Sequence, residues 1–375
     1  MKRRPVTKHL HVMVVALASG GLIITATGSA LAWEWDLPSF VSPPPVPTDN
    51  PMSASKVELG RRLFYDARLS RDGTMACSSC HRQEYAFAEG RSIAIGIDGD
   101  PLPRNTQPLA NVAYLPVLTW ANPHLDSLEV QALVPLFGLR PAEMGGGGHE
   151  EDIFDRLMRD PYYRKTFAEV FPSRPEADRL TISSALAAFQ RSLTSFDSPY
   201  DRYRHGGEPD AITDVAKRGE RLFFDVRLVC FQCQSGALMT DSMQMEGSRW
   251  AEVHFHDTSV RGPGAGGPLG LAAHTGRAQD ARRFRTPTLR NVAVTAPYMH
   301  DGSMHDLEEV VRHYAAGRQF AQAGPSGIGP GFEITEQEVQ DLVAFLESLT
   351  DETFLIDPRH ANPWPKGDPV REGQK

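Results

Sequence analysis

The run Cys77-Ser78-Ser79-Cys80-His81 constrains the fold more than any other feature of the chain. Cys-x-x-Cys-His is the attachment pattern of haem c, with two thioether bonds to the porphyrin and the histidine as axial ligand to its iron. A chain carrying it must fold around a rigid prosthetic group. A second pair, Cys230-Phe231-Gln232-Cys233, has the same cysteine spacing but is followed by Gln234 where a haem site wants histidine. The chain has 4 cysteines and these pairs use them all, so none is left for a disulfide framework. The plain alternatives are a four-cysteine zinc site or a redox dithiol. Zinc pairs close within a few tens of residues, whereas these lie about 150 apart, and haem is the better reading.

The cysteine pairs are parts of a longer duplication. Gly60-Arg61-Arg62-Leu63-Phe64-Tyr65-Asp66-Ala67-Arg68-Leu69 recurs as Gly219-Glu220-Arg221-Leu222-Phe223-Phe224-Asp225-Val226-Arg227-Leu228, each copy leading into a Cys-x-x-Cys. Downstream, Leu109-Ala110-Asn111-Val112-Ala113 recurs as Leu289-Arg290-Asn291-Val292-Ala293. Leader, cysteine pair and trailing segment keep their order twice, which predicts two homologous haem domains.

The N-terminus carries Lys2, Arg3, Arg4 and Lys8, then an apolar run from Val12 to Ile24, then Ala30-Leu31-Ala32, the small-x-small pattern of a signal-peptidase site. Residues 1–32 read as a cleavable leader that exports the protein to the periplasm. A retained anchor is the runner-up, but Ser19, Gly20, Gly21 and Thr25 break the run short of a membrane span. No later segment reads as a span. Cleavage removes four positive charges and no negative ones, taking the formal net charge from −8 to about −12 and arguing against a nucleic-acid partner. Residues 33–55, with Pro43-Pro44-Pro45 and Pro47, read as a stiff tether. The remainder suits two domains, 56–205 and 206–355, with a tail at 356–375.

Local patterns are mainly helical. Val57, Leu59, Leu63 and Phe64 fit a 3.6-residue stripe, as do Leu180, Ile182, Leu186, Ala187 and Phe189. Thr335 with Glu338 predicts a capping box that opens the last helix, with Val339, Leu342, Val343, Phe345 and Leu346 on one face. Long Gly/Pro-rich stretches at Gly145 to Gly148 and Gly262 to Gly270 suit a core partly replaced by haem.

With Phe284-Arg285-Thr286-Pro287-Thr288-Leu289-Arg290-Asn291-Val292 and Thr295-Ala296-Pro297-Tyr298-Met299-His300-Asp301-Gly302 added, the chain resembles the bacterial di-haem cytochrome c peroxidase and MauG family from about Lys56 to Thr350. The resemblance implies a mainly α fold of two tandem cytochrome-c-like domains, whose N-terminal haem reacts with hydrogen peroxide. It also implies a distal glutamate, a glutamine and a proline near that haem and a tryptophan between the haems, which fall on Glu143, Gln131, Pro135 and Trp120. A glutamate at an open haem face can take a proton from peroxide and return it to the leaving oxygen. Without the resemblance, Glu143 would read as a loop carboxylate and Trp120 as a core aromatic.

Reductively activated members carry a capping histidine eight residues before an asparagine; before Asn105 that position is Ile97, so a resting haem open to peroxide is expected. The distal ligand of the second haem is methionine in many peroxidases and tyrosine in MauG. Seventeen residues after Pro297 stands Tyr314, whose anionic oxygen would favour higher iron oxidation states. The resemblance further implies a calcium ion held by Asn105, Thr295 and Pro297, an all-oxygen set. Gln234 is the departure. It can offer iron only a weak neutral oxygen, and the sequence leaves open a second haem held through Tyr314, through His254 or His256, a poorly attached one, or a disabled site.

The expected activity is peroxide-dependent oxidation of a partner protein, with a tryptophan side chain as target in the MbnH-like subfamily that the Pro135-Leu136-Phe137 to Glu143-Met144-Gly145 stretch resembles. The rivals are a cytochrome c peroxidase fed by a small cytochrome and a non-enzymatic electron carrier or degenerate haem-binding protein.

Overall fold

The computed structural model describes residues 33–248, 251, 253–260, 269–317 and 331–366. The expected leader at 1–32, most of the Gly262 to Gly270 stretch and the end of the tail lie outside them. The fold is mainly helical, and the one strand pair among the described residues is two residues long on each side, β1 (Phe255–His256) against β2 (Phe284–Arg285).

Each half is built on one close helix crossing. In the first, α1 (Ala54–Phe64) lies across α5 (Arg179–Arg191); in the second, α7 (Asp214–Phe223) lies across α10 (Glu336–Glu347). The duplicated glycines make both crossings possible. A Cβ on Gly60 would stand 1.9 Å from the Ala185 carbonyl oxygen, and one on Gly219 would stand 1.8 Å from that of Asp341. Only hydrogen at Cα lets the backbones approach so closely. The apolar stripes then fill two separate cores, one around Leu59, Leu63, Phe64 and Phe189, the other around Phe223, Leu342 and Phe345. Leu180, expected on the buried stripe, is instead exposed at the first turn of α5, where the packed face begins only at Thr181.

The duplicated asparagines join the halves. Asn111 and Asn291 both adopt left-handed backbone, φ 59° and 60°, and their amides donate to Leu193 and Leu349 just past the ends of α5 and α10. Asn111 Oδ1 accepts from Ser195 N and Asn291 Oδ1 from Asp351 N. Asn291 Nδ2 then donates to Ser195 Oγ, which donates to Asp351, so the two copies meet in one buried network. Arg290 adds a bidentate pair to Asp201 at 2.6 and 2.8 Å.

Two terminal segments depart from expectation. The proline-rich stretch 33–55 packs rather than standing off as a tether. Val41 is 6% exposed among Tyr114, Phe196 and Leu238, Phe40 stacks on His205, and Asn50 is buried. Extended proline-rich backbone leaves its carbonyls open to donors. Tyr114 Oη reaches Ser42 O from one half, and Glu246 N reaches Pro43 O from the other. At the far end, the helix opened by the Thr335–Glu338 capping box forms as expected but is followed by α11 (Glu352–Ile356). The chain then crosses the expected boundary at 355: Phe354 and Trp364 enter the first core, and Tyr65 Oη donates to His360 O.

Candidate functional site

Each cysteine pair sits on a single 3₁₀ turn, Cys77–Ser79 in the first half and Cys230–Gln232 in the second. His81 N donates to Cys77 O at 3.0 Å and Gln234 N donates to Cys230 O at 3.1 Å, so the two side chains leave equivalent turns. His81 Nδ1 lies 2.6 Å from Phe87 O, and the Gln107 backbone also hydrogen-bonds the ring. A carbonyl at Nδ1 holds the proton there and leaves Nε2 as the ligand nitrogen. Burial pushes the ring below the usual histidine range, which keeps it neutral and able to ligate.

Gln131 and Pro135 of the expected distal group lie on α2 (Leu128–Phe137), and Glu143 lies on the loop after it. Gln131 and Pro135 are one turn apart on α2, and Pro135, lacking N–H, leaves the Gln131 carbonyl without its helical partner. Met144 N donates to Pro135 O and Gly146 N to Leu136 O, both at 2.9 Å, folding the Glu143 loop back on the helix end. Glu129 holds α2 on α5 through Arg191 at 2.8 Å. Glu143 has its carboxyl pushed above the usual range by burial. Burial also lifts the Cys77 and Cys80 thiols to about 12, with Glu89 adding at Cys80 and Glu143 adding at both. The position eight before Asn105 is an apolar wall: Ile97 is buried, its N–H donates to Glu143 O at 2.9 Å, and a Cβ on Gly145 would meet its Cγ2.

Tyr314 lies on α9 (Leu307–Ala316). Burial raises its phenol above the ordinary range, and Cys233 and Cys230 add to the shift. Trp120 is held from both halves. Its Nε1 donates to Asn105 O at 2.8 Å, and its own carbonyl accepts from Arg285 N at 2.8 Å. Asn105 Nδ2 donates to Arg91 O and Ser92 O, which turns Oδ1 the other way, and Asn105 N donates to His300 O. The structure thus ties Asn105 to the loop that follows Thr295 and Pro297. That disposition suits an oxygen ligand set drawn from both halves.

Two features escaped sequence reasoning. Cys233, Asp241 and His256 are brought together, with their ligand atoms within 4.8 Å of one another. His256 Nε2 lies 2.6 Å from Asp241 Oδ2, and Asp241, with the Cys233 thiol adding, raises the imidazole to about 10. Arg285 is buried between the halves, donating to Thr119 O and Thr286 O, and burial lowers it to about 10. No spacing in the sequence signals either, because the partners come from distant segments.

The family profile of di-haem cytochrome c peroxidase matches residues 54–209, and that of cytochrome c matches residues 256–350. The methylamine utilization protein MauG of Methylorubrum extorquens is 36% identical over 91% of this chain and 92% of its own length. The cytochrome-c peroxidase IdrP1 of Denitromonas iodatirespirans is 34% identical over 96% and 98%. Among solved structures, a MauG-like protein associated with microbial copper homeostasis superposes with a TM-score of 0.81 at 43% identity, over 89% of this chain and 100% of that one. The diheme peroxidase BthA of Burkholderia thailandensis shares the fold, with a TM-score of 0.62 over 86% of this chain and 90% of that one at 24% identity.

Proposed function

The chain belongs to the di-haem cytochrome c peroxidase and MauG family and is a haem-c oxidoreductase of the peroxidase kind, and from that premise we propose that it uses hydrogen peroxide to oxidise a partner protein. The observation that carries this reading is the first site, where a histidine held at Nδ1 by a carbonyl, a half-buried carboxyl and an apolar wall accompany one cysteine pair.

Haem on Cys77 and Cys80 would supply the redox chemistry of O–O cleavage. His81 would hold the iron from below, its Nδ1 proton kept on Phe87 O. Glu143 would take the proton from one peroxide oxygen and deliver it to the other as that oxygen leaves. Gln131 and Pro135, one turn apart on α2, would shape the pocket in which peroxide is oriented. Ile97 would leave the distal face free of a protein ligand, so that peroxide reacts in the resting state. Trp120, pinned between Asn105 and Arg285, would carry oxidising equivalents between the halves. Cys230, Cys233 and Tyr314 would hold the second haem, and Asn105, Thr295 and Pro297 a calcium ion at the junction.

The target is a side chain of a partner protein, tryptophan in the MbnH-like pattern, and the compartment is the periplasm, reached through the leader at 1–32. No helix among the described residues is long and apolar enough to cross a membrane. The second reading, peroxide removal with electrons from a small cytochrome, draws on the relatives named cytochrome c peroxidases. Mixing resting ferric protein with hydrogen peroxide tests the proposal. The expected result is a high-spin first haem that reacts at once, with slow turnover on reduced cytochrome c. An absolute need for prior reduction, or a resting spectrum of low-spin, two-histidine haem alone, would contradict it. Fast turnover with reduced cytochrome c would favour the second reading.

A further inference from the structure

We propose that Gln234 is the proximal ligand of the second iron through its amide oxygen, so that this haem has an all-oxygen axial pair, Gln234 Oε1 and Tyr314 Oη. The inference rests on the reading that Cys230 and Cys233 carry a haem.

Backbone carbonyls surround Gln234 much as they surround His81, one of them shifted by a residue. The His81 ring is held by the carbonyls of Phe87 and Gln107. The Gln234 side-chain amide faces the carbonyls of Met239 and Pro287, the latter 3.1 Å away, and only with its NH₂ turned toward them does it donate to both. Pro287 and Gln107 are matching positions in the duplication, while Met239 matches Ala86, the residue before Phe87. Phe87 and Met239 both take left-handed backbone, φ 64° and 52°, shortly after the cysteine turn. Gln107 and Pro287 each stand two residues before the repeated leucine, Leu109 and Leu289.

The amide NH₂ therefore does for Gln234 what Nδ1–H does for His81. Carbonyls only accept, so they fix which end of the amide faces them. Oε1 is left as the outward end, and it lies as many bonds from Cβ as the imidazole Nε2 does. The donor atom changes from nitrogen to a neutral oxygen while its support is retained.

The geometry also disfavours the nearby imidazole as a substitute. His256 Nε2 is 2.6 Å from Asp241 Oδ2, and Asp241 N is held on Cys233 O at 2.8 Å. Using that nitrogen for iron would break a half-buried ion pair that the Cys-x-x-Cys turn itself anchors, which leaves His256 only Nδ1 for a metal.

An amide oxygen is a weaker-field donor than imidazole, so the ferric second haem should be high-spin. The test is electron paramagnetic resonance on ferric full-length mature protein, with iron-to-chain ratio measured on the same samples. Variants Q234H, Q234L and H256A are compared with the parent. The expected result is two irons per chain and no low-spin signal in the parent. Q234H should gain one low-spin haem of the histidine–tyrosine kind. Q234L should keep its two thioether-held haems but shift the spectrum of the second, and H256A should leave the spectrum unchanged. A low-spin second haem in the parent, a parent-like spectrum in Q234L, or a second-haem spectrum altered in H256A would overturn the assignment while leaving the di-haem reading standing. One iron per chain in the parent would overturn both.

Discussion

The two halves share a backbone and differ in their ligands. Gly60 and Gly219 let the same two helix crossings form, Asn111 and Asn291 make the same left-handed turn, and each cysteine pair closes the same 3₁₀ turn. Against that shared frame stand His81 and Gln234 on the side of the cysteine turns, with Glu143 coupled electrostatically to the first pair and Tyr314 to the second. The frame is set by backbone close approach, where one added carbon collides with a carbonyl. The chemistry is set by side chains that the frame tolerates in several forms. A fold of this kind can therefore divide labour between two copies, one equipped with a carboxyl and the other with a phenol.

The largest effect should come from breaking the difference at its source. His81→Gly should abolish the reaction with peroxide, because it removes the axial ligand of the haem beside Glu143, while the spectrum of the second haem persists. Equal damage from Gln234→Gly would mean that the halves do not divide the work as argued.

Next in size, Glu143→Gln should keep haem content and slow O–O cleavage by about 10²-fold, the usual scale for a positioned general acid/base. The pH dependence sharpens the assignment. Burial raises the Glu143 carboxyl, so its proton-accepting form is lost on acidification at a pH above the ordinary carboxylate range. Stopped-flow rates should fall through that acidic limb in the parent and stay flat there in the variant. Parent-like rates in Glu143→Gln would remove this residue from the mechanism.

Smaller effects probe the shared frame. Gly60→Ala and Gly219→Ala should each destabilise by roughly 1–3 kcal/mol, the cost of overpacking a tight contact, read as denaturant midpoints. Neutral behaviour of either would show that its crossing is not governed by the glycine. Smaller still, Val41→Ala should cost about 1.5 kcal/mol for two buried methyl-sized groups, if the proline-rich segment packs as described. An unchanged midpoint would return that segment to the role of a loose tether.

Those predictions also mark what could be read from the sequence. The stripes of α1, α5 and α10, the Thr335–Glu338 box and the duplication were legible because helix periodicity and capping are local. Leu180 misled because the stripe does not say at which turn of α5 packing begins. The burial of Val41, the return of Phe354 and Trp364 to the first core, and the Asp241–His256 pair beside Cys233 were hidden because each joins segments whose proximity exists only after folding. At the site, His81 announced itself by motif. What Gln234 could do was not readable until its amide was found facing the carbonyls of Met239 and Pro287, as the His81 ring faces that of Phe87.

The central claim is that both halves carry haem although only the first supplies histidine. The intact mass of the mature chain, taken with its iron-to-protein ratio, tests this most directly. The account predicts a chain heavier by two covalently attached haems, with two irons and no titratable thiol. A chain heavier by one haem, with free thiols at Cys230 and Cys233, would contradict it.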